Sequence, residues 1–143
     1  WFGFSYEIIY FYNVYGSNHI SKGDMATVIG IFEEQTKNGK ELTVVKPGTQ
    51  TRRFTHINDT IAVCIEAWKK NQNRHYSISS KKSYSIIEVA KMFGGKKRYL
   101  HKREGERYES KLRNANLSNH IHQRYGKIEL KNYINDFVQN LKK

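Results

Sequence analysis

The stretch YEIIYFYNVYG, residues 6–16, decides how the rest of the sequence is interpreted. Residues 6–12 alternate as a β-strand whose two faces are both largely apolar, which is typical of a strand in a sheet covered on both sides. This strand runs into Asn13, and α/β proteins bind ligands at the carboxyl ends of their sheet strands. Asn13 is therefore a candidate ligand-binding residue, with an ordinary turn residue as the alternative.

Predicted strands and helices alternate along the rest of the chain. Further strands are expected at residues 42–45, 53–57, 75–79 and 98–101. Four helices are expected. The first three run from a cap at Asp24 to Gln35, from a cap at Asn58 or Asp59 to residue 70, and from the Ser85–Glu88 capping box to Gly94. The apolar side of the second helix is expected to be Ile61, Cys64, Ile65 and Trp68, and that of a last helix Leu130, Tyr133, Ile134, Phe137 and Leu141. The alternation predicts an α/β fold.

The composition narrows the class of protein. The 143 residues suit one domain, and a formal net charge of +12 suits a polyanionic partner. The densest basic segment, residues 96–103, is followed at once by Glu104 and Glu106, so a solvated lysine-rich surface is the alternative. No apolar run reaches the ~18–20 residues of a membrane-spanning helix. The single cysteine, Cys64, excludes an internal disulfide framework, and we expect a buried thiol in a cytoplasmic protein.

No complete catalytic set can be assembled from this sequence. The pair Gly94-Gly95 ends a predicted helix, so it cannot present helix N–H groups to a phosphate. His120 and His122 have no second cluster of ligands at zinc spacing, which favours a polar loop over a metal site. Arginine binds phosphate through bidentate hydrogen bonds. The candidates for holding a diphosphate are Arg52, Arg53 and Arg103, with exposed surface residues as the alternative.

Three motifs in register carry a resemblance to a known family. They are YFYNVYG at residues 10–16, GTQTRRFTHIND at residues 48–59 and REGE at residues 103–106. Their order and spacing resemble the carboxyl-terminal half of the extended short-chain dehydrogenase/reductases, the NAD-dependent nucleotide-sugar epimerases and dehydratases. The resemblance implies an extended Rossmann-type α/β fold with a small mixed α/β substrate-binding subdomain over residues 1–143. It also implies that an amino-terminal dinucleotide-binding part precedes Trp1.

The resemblance implies a role for several matching residues. Asn13 matches the asparagine that hydrogen-bonds the nucleotide-sugar substrate. Arg52 and Arg103 match the arginines that hold the diphosphate, and Glu106 matches an acidic residue that binds the ribose. Phe11 matches a position that borders the nicotinamide of NAD. Asp59 also matches the family pattern, and as a helix cap it is expected to be structural.

Three positions depart from the family pattern. Tyr10 replaces an arginine, Ser17 replaces a frequent proline, and Arg53 replaces an acidic residue. The last change is expected to add positive charge at the site. The four substrate-binding positions Asn13, Arg52, Arg103 and Glu106 still match the family pattern.

The function implied by the resemblance is UDP-sugar 4-epimerisation through transient oxidation to a 4-keto sugar. A nucleotide-sugar 4,6-dehydratase and a heptose epimerase are the alternatives within the family. In the family, the glycine-rich NAD fingerprint and the Tyr-x-x-x-Lys pair lie upstream of these motifs. Residues 1–143 are therefore expected to bind substrate without catalysing a reaction. A homodimer is expected, if at all, only for the intact protein. The alternatives from other classes are a basic nucleic-acid-binding domain and an inert interaction fragment with an exposed apolar strand edge.

Overall fold

The structure, a computed structural model, describes residues 1–102, 104–105 and 121–143. Its elements alternate between strands and helices, as the sequence predicts. In chain order they are β1 (Ile8–Phe11), β2 (Val14–Tyr15), α1 (Val28–Lys37), β3 (Leu42–Val45), β4 (Thr51–Arg52), β5 (Thr55–His56), α2 (Ile57–Lys70), β6 (His75–Ser79), β7 (Tyr84–Ser85), α3 (Ile86–Phe93), β8 (Lys97–Leu100), β9 (Ile121–Tyr125) and α4 (Leu130–Asn140). The predicted α/β class is confirmed.

A parallel sheet with the order β1-β6-β9 forms one layer of the molecule. Ile8 of β1 lies opposite His75 of β6, which in turn lies opposite Ile121 of β9. Helix α2 covers one face of this sheet, where Val63 and Ala67 pack against Tyr76 and Ile78. These four side chains form a small hydrophobic core between α2 and the sheet.

A second, larger core joins the remaining helices to a mixed set of short strand pairs. Strands β2 and β5 pair in parallel, as do β3 and β8, whereas β4 and β7 pair antiparallel. Helices α1, α3 and α4 pack together around fully buried side chains that include Phe32, Leu42, Val89 and Ile134. These pairs correspond to the mixed α/β subdomain expected from the sequence.

Strand β1 is less buried than its apolar pattern predicts. Its first three residues are half-buried and Phe11 is 56% exposed. Within the described residues, β1 pairs with β6 alone and so lies at an edge of the sheet. An edge strand keeps one side of its backbone and part of its side chains accessible, which explains the difference.

The first two helices begin at residues other than the predicted caps. Helix α1 starts at Val28, because the Thr27 hydroxyl accepts a hydrogen bond from the Gly30 amide at 3.1 Å, and Asp24 lies outside the helix. Helix α2 is capped by His56, whose Nδ1 accepts from the Asn58 amide at 3.2 Å. A histidine was not anticipated in this position because serine, threonine, aspartate and asparagine are the usual caps.

The predicted apolar face of α2 is wrong. Thr60, Val63 and Ala67 are the buried residues of this helix, whereas Ile61 and Ile65 are each 47% exposed and Trp68 is 76% exposed. Cys64, expected to be buried, is only partly covered. The helix carries two apolar stripes, and the one with the smaller side chains, Val63 and Ala67, faces the sheet.

Two local predictions at helix α3 are confirmed. Ser85 and Glu88 form both hydrogen bonds of a capping box, and Gly94 ends the helix with a left-handed φ of 78°. The polar loop expected around residues 120–122 is wrong in part, because Ile121 and His122 belong to strand β9. His120 lies outside the described residues. No helix in the described part of the chain is long and apolar enough to cross a membrane.

Asp59 ties α2 to the segment between β9 and α4. Its Oδ2 accepts hydrogen bonds from the backbone amides of Lys127 at 2.9 Å and Ile128 at 3.0 Å. The sequence predicts a structural role for this residue, and the contacts define it as a link between distant segments rather than a helix cap.

We expect Asp59→Ala to lower the free energy of unfolding by ~1–3 kcal/mol, because two backbone donors lose a charged acceptor. The neighbouring exposed residue offers the control, and Asn58→Ala should change stability by less than about 0.5 kcal/mol. Urea unfolding of the two variants and the parent chain measures both values. Equal midpoints for all three proteins would contradict the structural role of Asp59.

Candidate functional site

A cavity lies where the start of α1 faces strands β3 and β4. Its volume is about 330 Å³, which is within the range of small-molecule sites. Apolar side chains that include Phe32, Phe54 and Ile86 form most of its wall. The polar side chains at its surface are those of Asn13, Thr27, Thr43, Gln50 and Arg52. A few polar groups on an apolar wall are typical of a site for an organic ligand.

Asn13 reaches the cavity from the turn after β1. Its φ of 37° is left-handed, a conformation that asparagine tolerates better than most residues. Its Nδ2 donates to the backbone oxygen of Arg53 at 3.0 Å, and its own backbone oxygen accepts from the Thr55 amide at 3.3 Å. Since the carbonyl of Arg53 can pair only with the NH₂ group, the side-chain orientation is fixed. Asn13 Oδ1 is therefore the side-chain atom that can accept a hydrogen bond from a ligand hydroxyl.

Arg52 contributes a positive charge to the same cavity. It belongs to β4 and is partly buried, and its Nη1 donates to the backbone oxygen of Thr51 at 2.8 Å. The residues Ala26, Thr27 and Val28, at the start of α1, also line the cavity, and the first turn of this helix contains no acidic residue. The positive end of the helix dipole therefore adds to the charge of Arg52. Together they favour an anionic group.

Arg53 does not add charge to the cavity as the sequence suggests. Its Nη1 donates to the backbone oxygens of Ser80 at 2.9 Å and Lys81 at 2.6 Å. These contacts place its guanidinium beside the segment that follows β6, and Arg53 is absent from the cavity lining. Consecutive residues of an extended chain point to opposite sides, so Arg52, at the end of β4, and Arg53, directly after it, serve two different places.

Three further candidate residues are Phe11, Arg103 and Glu106. Arg103 and Glu106 lie outside the described residues. Phe11 lies at the end of β1 with an exposed ring, and it is not part of the cavity wall. The structure thus brings Asn13 and Arg52 together.

A buried polar cluster beside the cavity was missed by the sequence analysis. Glu33 of α1 is 9% exposed, and its Oε1 accepts a hydrogen bond from the Tyr133 hydroxyl of α4 at 2.7 Å. His19 Nε2 lies 3.8 Å from the same oxygen and accepts from the Gly16 amide at 2.9 Å. Because Nε2 accepts, neutral His19 carries its proton on Nδ1, which lies 3.3 Å from the Thr27 hydroxyl. The cluster thereby connects α4 to the start of α1.

Burial shifts the titration of this cluster. Burial raises the pKa of Glu33 above its usual value, and the hydrogen bond from Tyr133 partly offsets this effect. Burial, followed by the nearby His56, lowers the pKa of His19. A glutamate inside a surface helix gives no sequence signal of burial, and its partner Tyr133 lies 100 residues away in sequence. Within the described residues, no group of His, Cys, Asp and Glu is arranged to hold a metal ion.

Comparison with known protein families supports the sequence motifs. Residues 1–79 match the family model described as the NAD dependent epimerase/dehydratase family. The chain is 31% identical over 115 residues to a putative UDP-glucose 4-epimerase of Methanocaldococcus jannaschii, a match that covers 75% of this chain and 36% of that protein. It is also 31% identical over 88 residues to UDP-glucuronic acid decarboxylase 3 of Arabidopsis thaliana, covering 62% of this chain and 25% of that protein. The chain therefore spans well under half of these relatives.

Solved structures share the fold across nearly the whole chain. The UDP-glucose 4-epimerase of Thermotoga maritima, with UDP-glucose, matches 99% of this chain and 47% of its own length, with a TM-score of 0.77 and 19% identity. A UDP-N-acetylglucosamine 4-epimerase from Methanobrevibacter ruminantium, in complex with UDP-N-acetylmuramic acid, matches 99% of this chain and 46% of its own length, with a TM-score of 0.78 and 20% identity. At this level of identity the likeness shows a shared fold, and it confirms the predicted Rossmann-type class.

We expect Tyr133→Phe to destabilise the protein more at neutral than at acidic pH. Folding raises the pKa of Glu33, so this residue favours the folded state at low pH and the contribution is lost as the pH rises through its folded pKa. Removing the Tyr133 hydroxyl raises that pKa further and leaves an ionised carboxylate without its donor, at a cost of ~1–3 kcal/mol.

Urea unfolding of Tyr133→Phe between pH 4 and pH 8 measures this dependence. Tyr99→Phe, at a partly exposed tyrosine of β8, is the matched control and should follow the parent chain at every pH. A difference between Tyr133→Phe and the parent that stays constant over the whole range would contradict the buried glutamate as its source.

Proposed function

The chain belongs to the NAD-dependent epimerase/dehydratase family, and we propose that the cavity lined by Asn13 and Arg52 binds the nucleotide diphosphate part of a nucleotide sugar. The observation that carries this proposal is the convergence of Asn13 and Arg52 on one largely apolar cavity. A nucleotide sugar combines an aromatic base, an anionic diphosphate and sugar hydroxyls. The apolar wall suits the base, the Arg52 guanidinium suits the diphosphate, and Asn13 Oδ1 suits a sugar hydroxyl.

Two forces hold the proposed ligand. The diphosphate lies against Arg52 and the positive end of α1, where charge-assisted hydrogen bonds are about twice as strong as neutral ones. The base packs on the apolar wall, which removes its faces from water. The motif shared with the family adds two residues to this proposal. Arg103 is a second ligand of the diphosphate, and Glu106 is a ligand of the ribose.

We assign UDP-sugar 4-epimerisation to the complete protein to which this binding unit contributes. UDP-sugars are the common theme of the relatives, which include UDP-glucose 4-epimerases and UDP-glucuronic acid decarboxylases. Within the proposal, Asn13 Oδ1 accepts a hydrogen bond from a hydroxyl of the substrate and orients it. A 4,6-dehydratase or a heptose epimerase would use the same diphosphate contacts with a different sugar.

NAD supplies, when bound, the acceptor and donor of hydride for chemistry of this type. The exposed ring of Phe11 at the end of β1 fits a residue that packs against the face of a planar ring. In the family resemblance, the residues that carry proton transfer precede this strand. We therefore expect residues 1–143 to bind nucleotide sugar and to leave it unchanged.

Calorimetric titration of the chain with UDP tests the proposed site. We expect saturable binding, and we expect Arg52→Gln to weaken it about tenfold or more, because hydrogen bonds to charged groups contribute ~1.5–3 kcal/mol. Arg98→Gln removes the same charge from an exposed position of β8 and is the matched control. Binding that is lost equally in both variants, or DNA binding that competes with UDP and falls steeply with salt, would favour a nonspecific basic surface instead.

A further inference from the structure

The side-chain amide of Gln35, in α1, binds the edge of β3 that faces away from β8, at the cavity wall. Gln35 Nε2 donates to the Thr43 hydroxyl oxygen at 2.8 Å, and the Thr43 backbone amide donates to Gln35 Oε1 at 3.0 Å. The backbone N–H can pair only with the carbonyl end of the glutamine, so the two contacts together fix which end faces which atom.

The backbone of β3 explains why Thr43 faces this way. The amides of Leu42 and Lys46 donate to Lys96 and Leu100 on the β8 side. Amides of successive residues in a strand point to opposite edges, so the Thr43 amide, next to that of Leu42, points away from β8. Gln35 thus takes the place of a neighbouring strand at this one position, and it leaves the side chain of Thr43 at the cavity surface.

The hydrogen bonds from Gln35 determine what the Thr43 hydroxyl can do. A hydroxyl has one hydrogen to donate and two lone pairs that accept. One lone pair of Thr43 is taken by Gln35, and Gln35 presents only N–H groups to this oxygen. Within residues 1–102, 104–105 and 121–143, no acceptor for the Thr43 hydrogen is found. The hydrogen can therefore be donated to a ligand in the cavity that Thr43 lines.

We propose that Thr43 is a specificity-determining residue that donates a hydrogen bond to an oxygen of the bound nucleotide, and that Gln35 is the positioning residue that keeps this donor directed at the cavity. The inference rests on the proposed function, because it names a contact within that site. A base carbonyl and a phosphate oxygen share the required acceptor chemistry. A ligand without an acceptor at this position leaves the hydroxyl unpaired and binds less tightly.

Replacement of Gln35 by its acid isostere separates positioning from packing. In Gln35→Glu the carboxylate still accepts from the Thr43 amide, but its second oxygen now accepts from the Thr43 hydroxyl as well. The hydrogen is then drawn away from the cavity without a change of shape. Thr43→Val removes the hydroxyl at nearly constant volume, and Thr43→Ser keeps it.

The measurement is the dissociation constant of UDP for the parent chain and each variant, by NMR titration of the labelled chain. We expect Thr43→Val and Gln35→Glu each to weaken UDP about fivefold, the effect of one neutral hydrogen bond of ~1 kcal/mol. Thr43→Ser should stay within about twofold of the parent. The same spectra report whether each variant is folded, and Thr43→Ala serves in place of a misfolded valine variant.

The double variant Gln35→Glu/Thr43→Val decides whether the new charge alone is responsible. If Gln35 acts through the Thr43 hydroxyl, adding Gln35→Glu to Thr43→Val changes UDP binding by less than about twofold. A further fivefold loss in the double variant would mean direct repulsion of the diphosphate and would overturn the positioning role. Unchanged affinity in Thr43→Val would overturn the donor role.

Two further titrations identify the acceptor and separate this inference from the proposed function. A loss in Thr43→Val that appears with uridine but not with pyrophosphate assigns the acceptor to the nucleoside, and the reverse pattern assigns it to the phosphates. If the parent chain fails to bind UDP saturably, the proposed function fails and the inference with it. If the parent binds and all single variants bind equally, only the inference fails.

Discussion

The cavity depends on the pair of hydrogen bonds that joins Asn13 to residues 53–55. The Asn13 side chain holds the Arg53 carbonyl and its backbone oxygen holds the Thr55 amide. These bonds fix the turn after β1 against the segment between β4 and β5, and so they set Arg52 beside Asn13. A turn of this kind needs a left-handed backbone and a side-chain NH₂ group at once, and asparagine provides both.

The parts of the fold that could be predicted from the sequence are those decided by local chemistry. The capping box at Ser85 and the glycine that ends α3 involve neighbouring residues, so their pattern is sufficient. The orientation of α2 could not be predicted, because the helix offers two apolar stripes. Which stripe is buried depends on the partners that it meets, Tyr76 and Ile78 of β6, and these are set by the assembled sheet.

The candidate site also has a part that could be predicted from the sequence and a part that could not. Asn13 and Arg52 could be identified because their motifs occur in register along the chain. Three features could not be predicted, because each depends on a partner set by tertiary packing. They are the different contacts of Arg52 and Arg53, the burial of Glu33, and the hydrogen bonds from Gln35 to Thr43. Tyr133 meets Glu33 from the last helix of the chain, and no periodicity in α1 marks the residue that it will meet.

The two separate hydrophobic cores have a consequence for how this chain tolerates sequence change. The core beneath α2 and the core shared by α1, α3 and α4 contain no buried residue in common among those described. Energetic effects of substitutions add when the residues share no neighbours. Substitutions beneath α2 are therefore expected to change the free energy of unfolding independently of substitutions around the cavity. Asp59 and the turn at Asn13 are the links between the two layers, and these links limit how far the layers can diverge separately.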